Sequence, residues 1–191
     1  GFFCALQAEI KPKDTHVVIG CGPVGLMAIL GAREYGSEKL FAIDGVEERL
    51  QRAKDFGAIP INFTKQNPVE VIKEHTQGRG ADAVMEAVGN TSAGKLAYEI
   101  LRPGGIISVV GVCNDAHLAF SPVEAYNKNL TFKVGRCPAR AMMDKLIPLV
   151  QEKKYDFSSI ITHRMKLHEG TNAYDLFANK KDNCLKVVLE V

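Results

Sequence analysis

A β-branched run, a glycine turn and a helical-period apolar run follow one another without a gap in Val17-Val18-Ile19-Gly20-Cys21-Gly22-Pro23-Val24-Gly25-Leu26-Met27-Ala28-Ile29-Leu30. A strand that leaves through so short a turn into a helix is the opening of a βαβ unit, and its G-x-G-x-x-G spacing is the dinucleotide-binding fingerprint. Gly20 lets the backbone leave the strand in a tight turn. Gly22 leaves room for a pyrophosphate to touch the main chain, and Gly25 lets the helix pack close to the strand. Pro23 suits the first helical position, where its missing N–H would have had no partner, and Val24 follows in the same turn. The free N–H groups and partial positive charge of that helix end make an anion site. The plainer alternative is a glycine turn joining any parallel strand to any helix.

The downstream pattern decides between the two. Lys39-Leu40-Phe41-Ala42-Ile43-Asp44 reads as a second buried strand ending in a carboxylate, 19 positions after Gly25. In a dinucleotide fold an acidic side chain there accepts from the adenosine ribose hydroxyls. The alternative for Asp44 is an N-cap for the helix that follows, which has Glu47 and Glu48 in its first turn and Leu50, Ala53 and Phe56 on its apolar face. A helix over 2–10 and a strand over 16–20 precede the helix from Pro23. A strand over 59–63 and a helix over 68–76 complete a βαβαβα order, which calls for a parallel sheet with right-handed crossovers.

The second half repeats the rhythm, with strands over 81–89 and 105–111 around a helix over 92–101, and a sixth strand over 130–134. Ligands of open α/β sheets lie beyond the carboxyl ends of the strands near the switch in strand order. Ala87, Val88 and Gly89, and Val110, Gly111 and Val112, therefore fall beside the glycine turn; for Gly89 and Gly111 simple loop punctuation is the alternative. A helix over 138–153 contains Pro148, which predicts a kink or a split. From Ile160 the alternation changes, with an exposed or half-covered strand over 161–167, a helix over 169–179 and a strand over 184–189. Residues 1–160 read as one domain with a leading helix, and 161–191 as a return towards a different one.

At 191 residues and 46% hydrophobic content the chain can bury one substantial core. Its net charge of +2 comes from mixed signs, so no basic stripe points to nucleic acid, and no apolar stretch is long enough to span a membrane. Phe2-Phe3-Cys4-Ala5-Leu6 has no basic region before it and is not a signal peptide. Cys4, Cys21, Cys113, Cys137 and Cys184 form no C-x-x-C pair, which reads as reduced thiols in a cytoplasmic setting. His16, His75, His117, His163 and His168 are unpaired in sequence, and no metal site is expected in this chain. Beginning on Gly1 and running straight into a helical segment, it reads as a piece of a longer protein.

These residues together resemble the cofactor-binding part of the medium-chain dehydrogenase family, the zinc-type alcohol and polyol dehydrogenases. The resemblance is carried by Gly20 to Gly25, Asp44 with Glu48-Arg49-Leu50, Gly78-Arg79-Gly80-Ala81-Asp82, Glu86-Ala87-Val88-Gly89, Leu101-Arg102-Pro103-Gly104-Gly105, Val110-Gly111-Val112, Ile161-Thr162-His163-Arg164 and Leu185-Lys186-Val187-Val188-Leu189. It implies an α/β Rossmann fold, a doubly wound six-stranded parallel sheet in the order 3-2-1-4-5-6, with a tail that belongs to a catalytic domain not in this chain. It also implies reversible hydride transfer between an alcohol or aldehyde and NAD, with zinc in the full-length enzyme but not here, and a homodimer paired through the sixth strand. Gly20 to Gly25 would bind the pyrophosphate, Asp44 the ribose, and Arg49 would lie near adenine and ribose. Ala87, Val88, Val110 and Val112 would line the nicotinamide pocket, and Lys186 would approach the pyrophosphate; solvated charges remain the alternative for Arg49 and Lys186. The fragment is expected to bind cofactor without turnover. Three rivals stand beside this. Tyr35-Gly36-Ser37-Glu38-Lys39 matches a short-chain dehydrogenase motif in letters only, a methyltransferase would end its sheet in an antiparallel hairpin, and a nucleotide-sensing module would be complete as it stands.

Overall fold

Six strands, β1 (Thr15–Ile19), β2 (Lys39–Asp44), β3 (Ile59–Asn62), β4 (Ala81–Glu86), β5 (Leu101–Val109) and β6 (Thr131–Val134), pair in parallel in the order β3-β2-β1-β4-β5-β6 in a computed structural model that describes all of residues 1–191. The expected order is the observed one. Between the strands run α2 (Pro23–Glu34), α3 (Glu47–Asp55), α4 (Pro68–His75), α5 (Thr91–Ile100) and α6 (Pro122–Asn127), with α1 (Phe2–Gln7) ahead of β1. Residues Gly1–Cys137 form one compact unit and Pro138–Val191 a second. The expected boundary at 160/161 falls inside the second unit.

The period of two along each strand sorts side chains to the two faces of the sheet. Val17, Ile19, Phe41, Ile43, Ile61, Val84, Ile107 and Val109 join Ile72 of α4, Ala93, Ala97 and Ile100 of α5, and Phe120 in one apolar cluster. The residues between them face the other way, towards α1, α2 and α3, which pack on one another. Ser108 marks that face: its hydroxyl donates to the Cys4 carbonyl of α1 at 2.8 Å. A sheet buried on both faces has near-continuous apolar strands, which is why β1, β2 and β4 are buried along almost their whole length.

In the first unit β5 and α6 depart most from the sequence expectation. Strand β5 starts at Leu101 rather than Gly105, because the Leu-Arg-Pro-Gly-Gly stretch pairs as a bulge in which Ala81 opposes Leu101 and Ala83 opposes Ile106. Helix α6 was not expected at all, although Ser121-Pro122-Val123-Glu124 spells its start. The Ser121 hydroxyl accepts the Glu124 N–H at 3.2 Å while Glu124 accepts the Ser121 N–H at 2.6 Å, a capping box with proline at the first helical position.

Asp82 anchors the bulge at the amino ends of the strands. Its carboxylate accepts from Arg79 at 2.6 and 2.7 Å, from Arg102 at 2.6 Å and from the Thr15 N–H at 2.9 Å. Burial pushes the Asp82 carboxyl up, but these hydrogen bonds and the Arg79 charge outweigh it and hold the group well below the usual carboxylate range.

In the second unit, α7 (Ala139–Gln151) runs as one helix through Pro148, so of the expected kink or split the split does not occur. Only the last turn lies beyond the proline, and few ladder bonds are at stake there. After it come β7 (His163–Lys166), α8 (Gly170–Ala178) and β8 (Val187–Glu190); β7 and β8 are parallel, with α8 as their crossover. The Thr162 hydroxyl ties the pair, accepting the N–H groups of Leu185 at 3.0 Å and Lys186 at 3.2 Å.

Because Asp82 titrates near about pH 3.9 in the unfolded chain and lower in the folded one, its contribution to stability is complete above about pH 5 and is lost as pH falls through the folded value. Urea denaturation should show Asp82→Asn about 2 kcal/mol less stable than the parent at neutral pH, since charge-assisted bonds are lost. That gap should narrow below about pH 5 as Asp82 of the unfolded parent chain takes up a proton that the folded carboxylate still refuses.

Candidate cofactor-binding site

Strand register brings three chain exits side by side. Ile19 pairs with Ile43 on one side and Glu86 on the other, so Gly20, Asp44 and Ala87 leave the sheet together at the point where strand order reverses. The Gly20 N–H donates to the Ile43 carbonyl at 2.8 Å, and the Ala87 N–H to the Ile19 carbonyl at 3.0 Å.

The three fingerprint glycines are required for different reasons. Gly20 has φ +89°, and a Cβ on it would stand 2.6 Å from Val88 Cγ2. A Cβ on Gly25 would run into the Gly20 carbonyl oxygen, so helix α2 reaches its place only because no side chain intervenes. Gly22 has an ordinary φ of −70°, and a Cβ on it would meet nothing within 4 Å. Nothing within the chain demands glycine there. The open space in front of it, at a helix start with Pro23 first and no side-chain cap, is a cradle that fits a phosphate group against bare backbone.

Asp44 closes β2 with 8% exposure. Its Oδ2 accepts the Cys21 N–H at 2.7 Å, and Oδ1 accepts those of Gly45 at 2.8 Å and Val46 at 3.0 Å. The N-cap of α3 is Val46, without a side-chain cap, so the capping alternative for Asp44 does not hold. Three donors against about four lone-pair sites leave the carboxylate one further acceptor position. The Cys21 thiol is pushed up by burial and by the Asp44 charge, with half-buried Arg49 acting in the opposite sense, and it stays protonated. Phe63, 55% exposed, was not singled out from the sequence. Its N–H donates to the Asp44 carbonyl at 3.2 Å, and its ring edge covers Gly45, where a Cβ would lie 2.7 Å from Cζ.

On the other side the exits of β4 and β5 lie against each other. Gly89 has φ +85°, and a Cβ on it would press on the Val112 backbone; one on Gly111 would stand 2.6 Å from Glu86 Oε2. Both glycines are therefore packing requirements rather than simple loop punctuation. Val88 and Val112 are exposed, Val112 to 79%, and Ala87 and Val110 are half-buried. Glu86 binds both exits, a role that its place in the Glu86-Ala87-Val88-Gly89 motif does not reveal. The signal for it is an acidic residue at the end of an otherwise apolar strand. Lys186 belongs to the second unit, immediately before β8, where its carbonyl accepts the N–H groups of Thr162 and His163. No group of three His, Cys, Asp or Glu side chains comes together in a way that could hold a metal ion, so these residues do not fit a zinc centre.

The family model for zinc-binding dehydrogenases matches residues 23–152. Zinc-type alcohol dehydrogenase B of Aspergillus flavus is 36% identical over 98% of the chain and 44% of its own length. An alcohol dehydrogenase of Cupriavidus necator is 35% identical over 100% of the chain and 53% of its own. The solved structure of alcohol dehydrogenase TADH from Thermus sp. ATN1 superposes with a TM-score of 0.93 at 39% identity, covering 100% of this chain and 55% of that one. The chain thus spans about half the length of the relatives it matches.

The glycine geometry separates packing from binding. Gly25→Ala should destabilise the fold by about 2 kcal/mol or more, because backbone must move to admit the methyl. Gly22→Ala should stay within about 1 kcal/mol of the parent, the small cost being that of alanine at an N-cap. Thermal and urea denaturation of the two variants checks the contrast.

Proposed function

The chain belongs to the zinc-binding dehydrogenase family, and from that premise we propose that it is the NAD-binding part of an alcohol dehydrogenase-like oxidoreductase that moves hydride between an alcohol or aldehyde and the nicotinamide. The observation that carries the reading is the empty space at Gly22, in line with the α2 amino end and flanked by a carboxylate with an acceptor position to spare. Over Gly20, Gly22, Pro23, Val24 and Gly25 the pyrophosphate rests against the turn, held by the backbone N–H groups of Gly22, Val24 and Gly25 and by the helix dipole, since Pro23 has no N–H and that of Gly20 goes to the Ile43 carbonyl. Asp44 accepts from an adenosine ribose hydroxyl, Arg49 lies on the adenosine side, and the exposed ring of Phe63 offers the adenine an apolar face. Ala87, Val88, Val110, Gly111 and Val112 wall the nicotinamide and keep water from one side of it.

The bound cofactor supplies the hydride chemistry; these residues bind and orient it. Activation of the alcohol is assigned to the part of the family's length that this chain does not cover, so residues 1–191 bind dinucleotide without turnover. Residues 1–160 serve as the cofactor domain and 161–191 as a segment that returns towards the catalytic one. Five cysteines without a disulfide support a cytoplasmic setting, and no helix is long and apolar enough to cross a membrane.

The choice of NAD over NADP follows from charge. A 2′-phosphate beside Asp44 is repelled by about 1 kcal/mol per charge pair in water and about 4 kcal/mol at a half-buried site, about one to three decades of affinity. Titration calorimetry with NAD+ and NADP+ should show the parent preferring NAD+, and Asp44→Ser should move the affinity ratio by about tenfold or more towards NADP+. The ratio is the readout because loosening of the Cys21 turn weakens both ligands alike. An unchanged ratio would remove Asp44 from the ribose site.

Strand β6 ends the sheet with an unpaired backbone edge, and Val134 on it is 62% exposed. Exposed apolar edges invite pairing, and a two-fold axis perpendicular to β6 would pair it antiparallel with its copy and make one continuous sheet from two chains. Sedimentation should give a dimer for the parent and a monomer for Val134→Lys.

A further inference from the structure

Glu86 closes β4 with a side chain only 2% exposed. Its Oε1 accepts the N–H of Val88 at 2.7 Å and of Gly89 at 2.8 Å, while its main-chain carbonyl accepts those of Val110 at 3.0 Å and Gly111 at 3.3 Å. One residue therefore holds both chain segments assigned to the nicotinamide wall. Because a peptide unit is planar and trans, an N–H aimed at Glu86 sends the preceding carbonyl the opposite way. The carbonyls of Ala87 and Val88 accordingly point away from the carboxylate. That of Ala87 turns towards the glycine turn, its oxygen 3.5 Å from where a Gly20 Cβ would stand.

We infer that Glu86 is a positioning residue for the dinucleotide: its ionised carboxylate turns the Val88 and Gly89 amides inward, presents the opposite carbonyls to the cofactor, and loosens its hold when protonated. The inference rests on reading this site as a dinucleotide site. Strands β1 and β5 place Ile19 and Val109 in register on either side of Glu86. The Cys4 thiol of α1 feels the Glu86 charge and the Gly1 amino group and is pushed up to about 11 chiefly by burial, so it is uncharged; burial holds the Gly1 amino group below its ordinary value. Burial raises the Glu86 carboxyl above its ordinary value, against the lowering effect of the Gly89 and Val88 bonds, which brings its titration closer to neutrality. The ionised form makes the stronger bonds, so the amides are held above that titration and released below it.

Titration calorimetry with NAD+ tests this. In the parent protein the affinity should fall as pH is lowered from about pH 8 through the raised titration of Glu86, by about tenfold once the carboxyl is protonated and charge-assisted bonds give way to neutral ones. Glu86→Gln keeps the acceptor and the shape but is neutral at every pH; like the protonated carboxyl, it should bind about tenfold more weakly than the parent at about pH 8 and stay level below it. Equal pH slopes in the two proteins would overturn the inference. Amide exchange at Val88 and Gly89 without ligand, corrected for intrinsic rates, supplies a second arm: protection should fall with pH in the parent and not in Glu86→Gln. Constant protection in the parent would also overturn the inference, even were the variant not to fold. A parent that binds no NAD+ at about pH 8, yet shows the expected exchange pattern, would instead refute the dinucleotide reading and with it any role for Glu86 towards that ligand, leaving Glu86 as a brace of the two loops.

Discussion

The backbone of Gly25 lies so close to the Gly20 carbonyl that no side chain fits between them. Everything at the carboxyl edge of the sheet depends on that approach. It sets how near α2 comes to β1, which in turn places the amino end of α2, with Pro23 first and the open space of Gly22 beside it, at the switch between β1 and β4. A helix dipole acts over about a turn, so a displacement of the size a methyl group would force is enough to take the proposed anion site out of use.

Carboxylates at strand ends do the rest of the work, each by satisfying backbone N–H groups that a turn would otherwise leave unpaired. Asp44 collects those of Cys21, Gly45 and Val46; Glu86 collects those of Val88 and Gly89; Asp82, at the opposite edge, takes that of Thr15 along with two guanidinium groups. Buried amides without partners are costly, and one carboxylate oxygen can accept two of them. The loops around the site owe their order to these contacts more than to apolar packing, since Val88 and Val112 themselves remain exposed.

Much of the fold could be read from the residues. The strand-turn-helix at Val17 to Leu30 and the apolar runs at Leu40, Ala83 and Ile106 each signal their own element, because hydrophobic period and glycine punctuation are local. Helix α6 shows the limit: its capping box is spelled out at Ser121 to Glu124, but six residues carry too little apolar periodicity to stand out. The early start of β5 depends on a bulge that pairs Leu101 with Ala81, and pairing across a sheet leaves no mark in the stretch itself. The glycines of the site divide in the same way. Their spacing announces a phosphate turn, but the geometry alone shows that Gly20 and Gly25 serve packing while Gly22 faces open space.

The sequence by itself determined the parallel α/β class, the strand order through its family resemblance, and the glycine turn, because these follow from patterns a few residues long repeated along the chain. Tertiary structure decided what Asp44 and Glu86 do. Which amides a carboxylate meets is a matter of how β1, β2, β4 and β5 lie in register, and that register brings together residues separated by more than twenty positions, such as Cys21 with Asp44 and Glu86 with Gly111. Contacts of that range arise only when the whole sheet has formed.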